Sequence, residues 1–568
     1  MSEGCPGTKK GDRTMDPRGP LFTVGYDHEG PSPWVRPGRP WELLRPGYVP
    51  RTICYPEIPL HAIGWEAARE RPHGLAVYFV QENRKYTYLE LMHHAARIAA
   101  ALSDLGVGPG DGVALYMTNS PEFLFTVYGV SMTGAFIVPI NPMSKAADIE
   151  HIIRDCGRVK VVVCTSFLYL NIEKVQATTT IERVIVEGAE VAGTLNLDDL
   201  MARYPARPPR VQIDPRQDLC VLLYTGGTTG APKGVMLTHY NITTNVFQMA
   251  GTDPYPPGRE INDSCVTVLP MCHAFGFSQV QLYIAQKALM ILYNGFDPPE
   301  VMRLIEAYHT ENFVGIPLMF QLLVNDPGFE DYDLTSLIRV ISGAASLPRD
   351  LARKWKETVG SNVGQGYGMS EAGPTSHMTP IWLDDFKDSI GVPVVDTDVR
   401  IVDPEERNRE MSPGEIGEFA VRGPQIMQGY WNRPDLTAKT VVDGWLMTGD
   451  LGRMDERGLF YIAGRSTDMI KYKGYKVLPD DVEDALHRHP AVLECGVVGV
   501  PDPEIGETIK AFVVLKAEYH GGVTEADLQA WAREEMAGYK WPRIIEFIDR
   551  LPRTAVGKVF RRELRDRK

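Results

Sequence analysis

Short apolar runs alternate with helical patterns over most of this chain. The runs occupy residues 113–117, 160–164, 184–186, 288–292, 313–316 and 339–341. A strand that is apolar along its whole length is buried on both faces, as a parallel strand covered by helices is. The pattern therefore predicts an α/β protein with a large, multi-layer N-terminal body built from parallel α/β subdomains.

The helix signal is strongest at a Thr-x-x-Glu sequence. Thr87 and Glu90 have the spacing of a capping box, in which each side chain accepts a hydrogen bond from the other residue's backbone. Apolar residues then recur at helical spacing at Leu91, Ala95, Ile98 and Leu102. A helix is predicted to begin at this cap.

The composition changes twice towards the end of the chain. Residues 414–422 and 444–461 combine turn residues with strand formers and predict a β-rich subdomain of the body. Beyond them a compact α+β pattern follows. Its predicted elements are a helix after Pro479, strands at 494–500, 509–515 and 544–548, and a helix capped by Thr524.

These patterns predict three parts. Residues 1–55 are rich in Gly, Pro and Arg and are predicted to form a loosely ordered arm, in which Trp34 and Trp41 are the residues expected to dock on the body. Residues 56–463 form the body, and residues 464–568 form a small α+β C-terminal domain.

The composition excludes several classes of protein. The chain has 568 residues, with 59 Lys and Arg against 73 Asp and Glu, and a net charge of -14. Because an acidic protein repels polyanions, nucleic acid is not a predicted partner. There is no apolar leader and no run of about 18 apolar residues, so neither a signal peptide nor a membrane span is predicted. Peripheral membrane contact and a homodimer stay open.

The cysteines point to the compartment. Eight are scattered along the chain without a CxxC pair, so a zinc site has no support. Cys164 and Cys220 adjoin apolar runs, which predicts buried, reduced thiols. A cytoplasmic protein is therefore predicted.

The densest chemical signal is the segment 224–235, which reads YTGGTTGAPKGV. Glycines let backbone N–H groups close around an anion, and two threonine hydroxyls and one lysine add donors. The segment predicts a cradle for a triphosphate. It differs from the P-loop, because Pro232 precedes Lys233 and no Ser or Thr follows that lysine.

Other segments carry further groups that a nucleotide enzyme needs. Residues 342–345 are small and follow a predicted strand, which leaves room for a flat ring. Residues 365–371 supply an aromatic face, a hydroxyl and a carboxylate, and carboxylates are ligands that Mg²⁺ prefers. Asp450, at a predicted turn, suits pairing with two ribose hydroxyls, and Lys558 lies on a glycine-led segment near the chain end.

In this order and spacing the segments resemble the adenylate-forming superfamily, which includes acyl-CoA synthetases, 4-coumarate–CoA ligases, luciferases and peptide-synthetase adenylation domains. The resemblance runs from about residue 60 to residue 568. Segments 138–142, 225–230 and 269–276 look most like medium- and long-chain fatty acid–CoA ligases, and stand close to the coumarate branch. The resemblance implies a fatty acid–CoA ligase that uses ATP, Mg²⁺ and coenzyme A, with a mobile C-terminal domain.

The resemblance also implies site residues at the matching positions. Lys558 and Glu371 are implied as catalytic, and Glu371 as the Mg²⁺ ligand. The implied ATP-binding residues are Thr225, Gly226, Gly227, Thr228, Thr229, Gly230, Lys233, Gly343, Ala344, Ala345, Gly366, Tyr367, Gly368, Met369, Ser370, Asp450, Arg465 and Lys471. The implied coenzyme A residues are Lys473 and Gly474, and the implied acyl-pocket residues are His273, Phe277, Gly343 and Gly366. A purely structural role for His273 stays open.

Two positions depart from the family's pattern. Thr467 stands at the expected hinge, where the family usually has Asp or Lys, so the hinge lacks a charge at this position. Asp481 stands where a glutamate is commoner.

Rival functions stay open on the sequence alone. They are an aryl-acid CoA ligase of the 4-coumarate type, an acyl-AMP transferase that loads a carrier protein, a luciferase-like oxygenase and a nucleotide-binding protein without activity. The retained Lys558, Glu371 and Asp450 argue against the last. The acyl tunnel is expected to be shaped by residues around 275–281, 313–317 and Gly366. The length of the acyl chain is not decided by the sequence.

Overall fold

The computed structural model describes residues 20–225, 232–258, 264–386, 388–473, 475–502, 505–553 and 559–567. The predicted α/β class is confirmed, because strands and helices alternate through the body. The first stretch contains β1 (Gly25–Asp27), β2 (Thr52–Cys54), α1 (His61–Glu70), β3 (Leu75–Phe79), β4 (Arg84–Thr87), α2 (Tyr88–Asp104), β5 (Gly112–Tyr116), α3 (Pro121–Thr133), β6 (Phe136–Pro139), α4 (Ala146–Cys156), β7 (Val159–Thr165), α5 (Tyr169–Gln176), β8 (Arg183–Glu187), β9 (Leu195–Asn196) and α6 (Leu197–Arg203).

The second stretch holds most of the strands that reach the site. It contains β10 (Leu219–Thr225), β11 (Lys233–Thr238), α7 (His239–Thr252), β12 (Ser264–Thr267), α8 (Ala274–Gln286), β13 (Leu289–Leu292), α9 (Pro298–Tyr308), β14 (Asn312–Gly315), α10 (Pro317–Val324), β15 (Arg339–Gly343), α11 (Arg349–Val359), β16 (Val363–Gly368), β17 (Thr375–Met378) and β18 (Val392–Pro393).

The last two stretches form the β-rich subdomain and the C-terminal domain. The subdomain contains β19 (Asp398–Val402), β20 (Gly417–Arg422), β21 (Gly429–Tyr430), α12 (Pro434–Thr440), β22 (Val441–Val442), β23 (Trp445–Met454) and β24 (Phe460–Arg465). The C-terminal domain contains β25 (Ile470–Tyr472), β26 (Tyr475–Val477), α13 (Pro479–Leu486), β27 (Val492–Asp502), β28 (Gly506–Leu515), α14 (Glu525–Glu535), β29 (Ile544–Phe547) and α15 (Arg561–Asp566).

Two large sheets form the layers of the body. Within the described residues, one sheet has the order β21-β11-β10-β6-β5-β7-β8-β9 and the other β18-β17-β16-β15-β14-β12-β13-β3-β4. Strands β16, β15, β14, β12, β13 and β3 pair in parallel. All six predicted apolar runs fall within or one residue beyond strands, and Cys164 and Cys220 are fully buried. Burial on both faces explains why these strands are apolar throughout.

The predicted helix start is confirmed at α2. Thr87 accepts a hydrogen bond from the Glu90 backbone, and the Glu90 carboxylate accepts one from the Thr87 backbone. Leu91, Ala95 and Leu102 are fully buried. Helix α2 therefore begins at its cap and turns its apolar face to the core.

Residues 36–41 of the arm dock on the body, as expected for Trp41. Trp41 is fully buried and its ring lies 5.4 Å from that of Phe460 in β24. Arg36 and Arg39 donate to the two oxygens of Asp398, at 2.7 Å and 2.9 Å. Because a fully buried carboxylate requires compensating donors, these arginines fasten residues 36–41 to the β-rich subdomain.

Candidate active site

The carboxyl ends of β10, β15 and β16 face the β23–β24 hairpin and the C-terminal domain across a cavity of about 2000 Å³. In parallel sheets this edge is where ligands usually bind. Most of the predicted site residues that the structure describes line this cavity. They are Thr225, Lys233, His273, Ala344, Ala345, Gly366, Tyr367, Gly368, Met369, Ser370, Glu371, Asp450 and Arg465.

Asp450 is held by two donors from different parts of the chain. It lies opposite Arg465 in the β23–β24 pair, and Arg465 Nε is 2.9 Å from Asp450 Oδ1. The Tyr367 hydroxyl donates to Oδ2 at 2.7 Å. Asp450 is only 6% exposed, and its charge raises the pKa of Arg465. Since an ionised carboxylate has about four lone-pair positions, both oxygens keep acceptor capacity for two adjacent hydroxyls.

Tyr367 stays a neutral donor. Burial, with the adjacent Asp450 charge, raises its pKa well above the ordinary value. Its ring packs 5.6 Å from those of His377 and Phe419. The ring is thus fixed at the cavity wall with its hydroxyl committed to Asp450.

Glu371 lies on a single 3₁₀ turn that follows β16. It is 7% exposed, and the Tyr430 hydroxyl donates to its Oε1 at 2.7 Å. The turn requires glycine at residue 368, because a Cβ there would lie 1.9 Å from the Pro374 carbonyl oxygen. This close approach brings the carboxylate to the cavity wall.

The cationic side chain of Lys233 lies over the ring of the same tyrosine. Lys233 Nζ is 5.1 Å from the centre of the Tyr430 ring, and Lys233 pairs with Thr225 across the β10–β11 hairpin. Burial, with the Glu371 charge, raises the pKa of Tyr430 above its ordinary value. Tyr430 therefore stays protonated between an anionic and a cationic side chain.

The Glu371 carboxylate fits a Mg²⁺ ion that is shared with phosphates. Among the described residues no group of three His, Cys, Asp or Glu side chains could hold a metal alone. Mg²⁺ commonly takes one or two carboxylates and completes its shell with substrate phosphates and water. A single buried carboxylate beside Lys233 agrees with that arrangement.

Several predicted residues lie outside the described parts of the chain. They are Gly226, Gly227, Thr228, Thr229 and Gly230 of the predicted phosphate cradle, Gly474, and Lys558. Both described ends of the cradle segment, Thr225 and Pro232, line the cavity.

Small residues lie at the ends of β15 and β16. Ala344, Ala345 and Gly366 line the cavity, whereas the predicted site residue Gly343 does not, because the Phe275 ring covers it. Gly343 pairs with Gly366, and a Cβ on Gly343 would lie 2.8 Å from the Phe275 ring. Ala344 has a positive φ of 69°, which turns the chain away from the strand. Gly343 therefore lets an aromatic ring lie directly against the sheet.

His273 precedes α8 at the cavity wall. Its Nε2 is 3.1 Å from the Asn141 amide nitrogen, which assigns Nε2 as the acceptor. Burial lowers the pKa of His273 to about 4, so the ring is neutral at pH 7. A neutral, anchored imidazole shapes the wall and adds no charge to it.

Phe277 is not among the residues that line the cavity. It is 1% exposed and packs in the core, whereas Phe275 and Gln279 of the same helix line the cavity. Residues four apart lie on one helix face, and Phe277 falls between them on the other side. The sequence prediction thus chose the wrong face of α8.

The C-terminal domain turns one of its two predicted site segments towards the cavity. Arg553 and Val559, which flank Lys558 among the described residues, line the cavity and form a β-bridge. Lys471 and Lys473 do not line it. Lys473 is exposed in the turn after β25, and the Lys471 backbone donates to Glu507 at 2.8 Å.

The departures from the family pattern have local explanations. Asp468, next to Thr467, is 5% exposed and accepts from Arg565 at 2.8 Å. Asp481 forms an ion pair with Lys540, with 2.6 Å between Oδ2 and Nζ. In the same helix, Glu483 forms an ion pair with Arg561 at 2.9 Å. The sequence analysis missed Tyr430 and Asn141, which hold Glu371 and His273 through side-chain hydrogen bonds.

Comparison with known proteins supplies a second line of findings. The pattern of the AMP-binding enzyme family matches residues 64–431, and that of the AMP-binding enzyme C-terminal domain matches residues 481–558. The chain is 36% identical to a long-chain-fatty-acid–CoA ligase of Bacillus subtilis, over 93% of this chain and 97% of that protein. It is also 36% identical to a feruloyl-CoA synthase of Amycolatopsis, over 88% and 97%.

A solved structure is similar over nearly the same length. The ATP-bound MatB of Rhodopseudomonas palustris superposes with a TM-score of 0.82, at 29% identity, over 90% of this chain and 99% of that one. Among the described residues, no helix combines the length and apolarity needed to cross a membrane.

Proposed function

Since the chain belongs to the AMP-binding enzyme family and is an AMP-forming acid–CoA ligase of that family, we propose that its acid is a fatty acid. The acid reacts with ATP to form an acyl-adenylate and release pyrophosphate, and the thiol of coenzyme A then displaces AMP to form the thioester. Mg²⁺ would bind with the ATP phosphates and is not consumed. The long-chain-fatty-acid–CoA ligase similarity agrees with this choice.

One observation carries the choice of a fatty acid. Ile341 and Arg339 of β15 line the cavity below Ala344, and β15 rises about 13 Å between Gly343 and Arg339. The apolar lining of the cavity there consists of Met249, Leu282, Val314, Ile316 and Leu318. Burial of each CH₂ group of an acyl chain in such a branch stabilises the complex by about 0.8 kcal/mol.

The nucleotide side of the cavity has the groups that adenylation requires. Asp450 offers two oxygens to the ribose hydroxyls, and Tyr367 with residues 344–345 encloses the adenine. Glu371 would hold the Mg²⁺, which offsets phosphate charge when bound. The acid carboxylate and the α-phosphate repel each other, so Lys558 and Lys233 act by charge and position rather than as acids or bases.

The orientation of the C-terminal domain suits the first half-reaction. The segments that flank Lys558 face the cavity, whereas Lys473 is turned away. Rotation at residues 465–467 would exchange these two faces and bring Lys473 and Gly474 to the entering thiol of coenzyme A. The division into an arm (1–55), a body (56–463) and a mobile domain (464–568) is part of this proposal.

Replacing Asp450 by asparagine is expected to raise the KM for ATP about ten- to a hundredfold. The reason is that charge-assisted hydrogen bonds to the ribose are lost and Arg465 loses its partner. Steady-state kinetics at saturating acid measure the change. Asp455→Asn is the matched control, since Asp455 also accepts from a tyrosine, Tyr461, but does not line the cavity. Equal KM values for the two variants would contradict the role.

A screen of acids tests the proposed function. Pyrophosphate release and thioester formation are measured with acetate, octanoate, palmitate and 4-coumarate, each with and without coenzyme A. Thioester formation with octanoate or palmitate supports the proposal, and preference for coumarate supports the aryl-acid alternative. Acid-dependent pyrophosphate release without any thioester would indicate transfer to a carrier protein. Absence of release with every acid would overturn an adenylation function for these substrates.

A further inference from the structure

The apolar branch of the cavity contains one buried amide. Gln279 lies on α8, is 8% exposed and lines the cavity together with Phe275 and Leu282. Within the described residues, the Gln279 amide nitrogen donates a hydrogen bond to the Met249 sulfur, at 3.9 Å. A thioether is a weak acceptor, so this amide retains most of its hydrogen-bonding capacity.

The depth of Gln279 can be read from the helix. Helix α8 begins at Ala274, beside His273 at the mouth of the branch, and runs antiparallel to the strands. Gln279 is five residues further on, which places it about 7.5 Å deeper along the helix axis. The carboxylate end of a substrate at the mouth would therefore lie well above this amide.

The ion pair of Arg339 and Asp253, which also lines the branch, is already satisfied. Arg339 donates to Asp253 Oδ2 at 2.6 Å, to the Asp253 carbonyl oxygen at 2.6 Å and to Asn312 at 3.0 Å. The Arg339 and Asp253 side chains of this ion pair are 6% and 2% exposed, and they bond to each other. Gln279, by contrast, faces the cavity with unused donors and an unused acceptor direction.

We propose that Gln279 is a specificity-determining residue that selects acids carrying a hydroxyl group at its depth. The proposal rests on the acid–CoA ligase function above. A hydroxyl on an aliphatic chain would narrow the fatty acid proposed there, and a ring hydroxyl would replace it by the aryl-acid alternative. A hydroxyl can donate to Oε1 or accept from Nε2, whereas a plain hydrocarbon leaves the amide unpaired. A site built to bond a hydroxyl discriminates against the analogue without it.

Two chemical sources of such a hydroxyl fit the same depth. One is the ring hydroxyl of a hydroxycinnamate, and the other is a hydroxyl on an aliphatic chain. Substrate pairs separate them: cinnamate with 4-hydroxycinnamate, and hexanoate with 6-hydroxyhexanoate. Each acid is assayed with the full-length protein, ATP, Mg²⁺ and coenzyme A, and kcat/KM is compared within each pair.

The expected result is a preference of about ten- to a hundredfold for the hydroxylated member of at least one pair. Gln279→Met keeps the length of the side chain but removes the amide, and is expected to reduce that preference to less than threefold. Part of this reduction should come from a higher kcat/KM of Gln279→Met for the acid without the hydroxyl. The pair that shows the effect identifies the aromatic or the aliphatic source.

Gln281→Met is the matched control. It makes the same exchange two residues further along α8, on a buried glutamine that accepts from Tyr128 and does not line the cavity, and should leave the preference unchanged. Gln279→Leu is a second variant in case Gln279→Met does not fold, and thermal unfolding checks both.

Two results would overturn the inference. One is equal kcat/KM within both pairs for the unchanged protein, and the other is a preference that survives in Gln279→Met and Gln279→Leu. Failure of every acid to release pyrophosphate would instead overturn the ligase function on which the inference rests.

Discussion

Lys558→Ala is expected to slow the adenylation step about a hundred- to ten-thousandfold, the range for losing a charge contact made in the transition state. The carboxylate and the α-phosphate are both anions, and charge grows on the phosphate oxygens as they react. A lysine brought to that point offsets the repulsion, and alanine cannot. Lys558 lies outside the described residues, but its flanking residues Arg553 and Val559 line the cavity.

The measurement separates the two half-reactions. Single-turnover pyrophosphate release should fall, whereas thioester formation from supplied acyl-adenylate and coenzyme A should change less than tenfold, since the domain has then rotated. Arg562→Ala is the control, because Arg562 is a nearby cation at the cavity whose recorded ion pair is with Asp566 at 3.9 Å. An equal loss in both half-reactions for Lys558→Ala would refute the assignment.

Glu371→Gln is expected to slow adenylation about a hundred- to a thousandfold and to raise the Mg²⁺ concentration that gives half-maximal rate. The amide keeps the shape of the side chain and can still accept from Tyr430, but it lacks the charge that a divalent cation needs. Rates are measured over a Mg²⁺ titration at fixed ATP, and direct Mg²⁺-dependent ATP binding by calorimetry gives a readout besides activity.

Tyr430→Phe provides the comparison for Glu371. It removes the hydroxyl that donates to Glu371 Oε1 but keeps the carboxylate and the ring next to Lys233. The expected loss is less than about tenfold, the scale of one hydrogen bond. If Tyr430→Phe were as damaging as Glu371→Gln, the carboxylate would act through its tyrosine contact rather than through the metal.

Local signals predicted much of the fold. The capping box of α2 and the apolar strands β5, β7, β8, β13, β14 and β15 were visible in the sequence because caps and strand burial depend on neighbouring residues. The arm was not visible in this way. Its order depends on Asp398, more than 350 residues away, which is buried only because Arg36 and Arg39 reach it.

The candidate site likewise combines features that local sequence revealed with contacts that it did not. The residue types that suit a nucleotide were recognisable in short segments, but the contacts between them were not. The Tyr367–Asp450 and Tyr430–Glu371 hydrogen bonds join residues 83 and 59 positions apart. Such pairs form because two sheets and a β-rich subdomain meet at one edge, which no local pattern specifies.

The sequence by itself determined the class of chemistry, since a glycine- and threonine-rich segment, a buried carboxylate and a late lysine each carry their function in their residue types. The tertiary structure decided which side chains meet the acyl group. Within the predicted range 275–281, Phe275 and Gln279 line the cavity, whereas Phe277, which was singled out, does not. The physical reason is that a helix rotates each residue by a fixed angle, so the exposed face depends on where α8 begins and on what packs behind it.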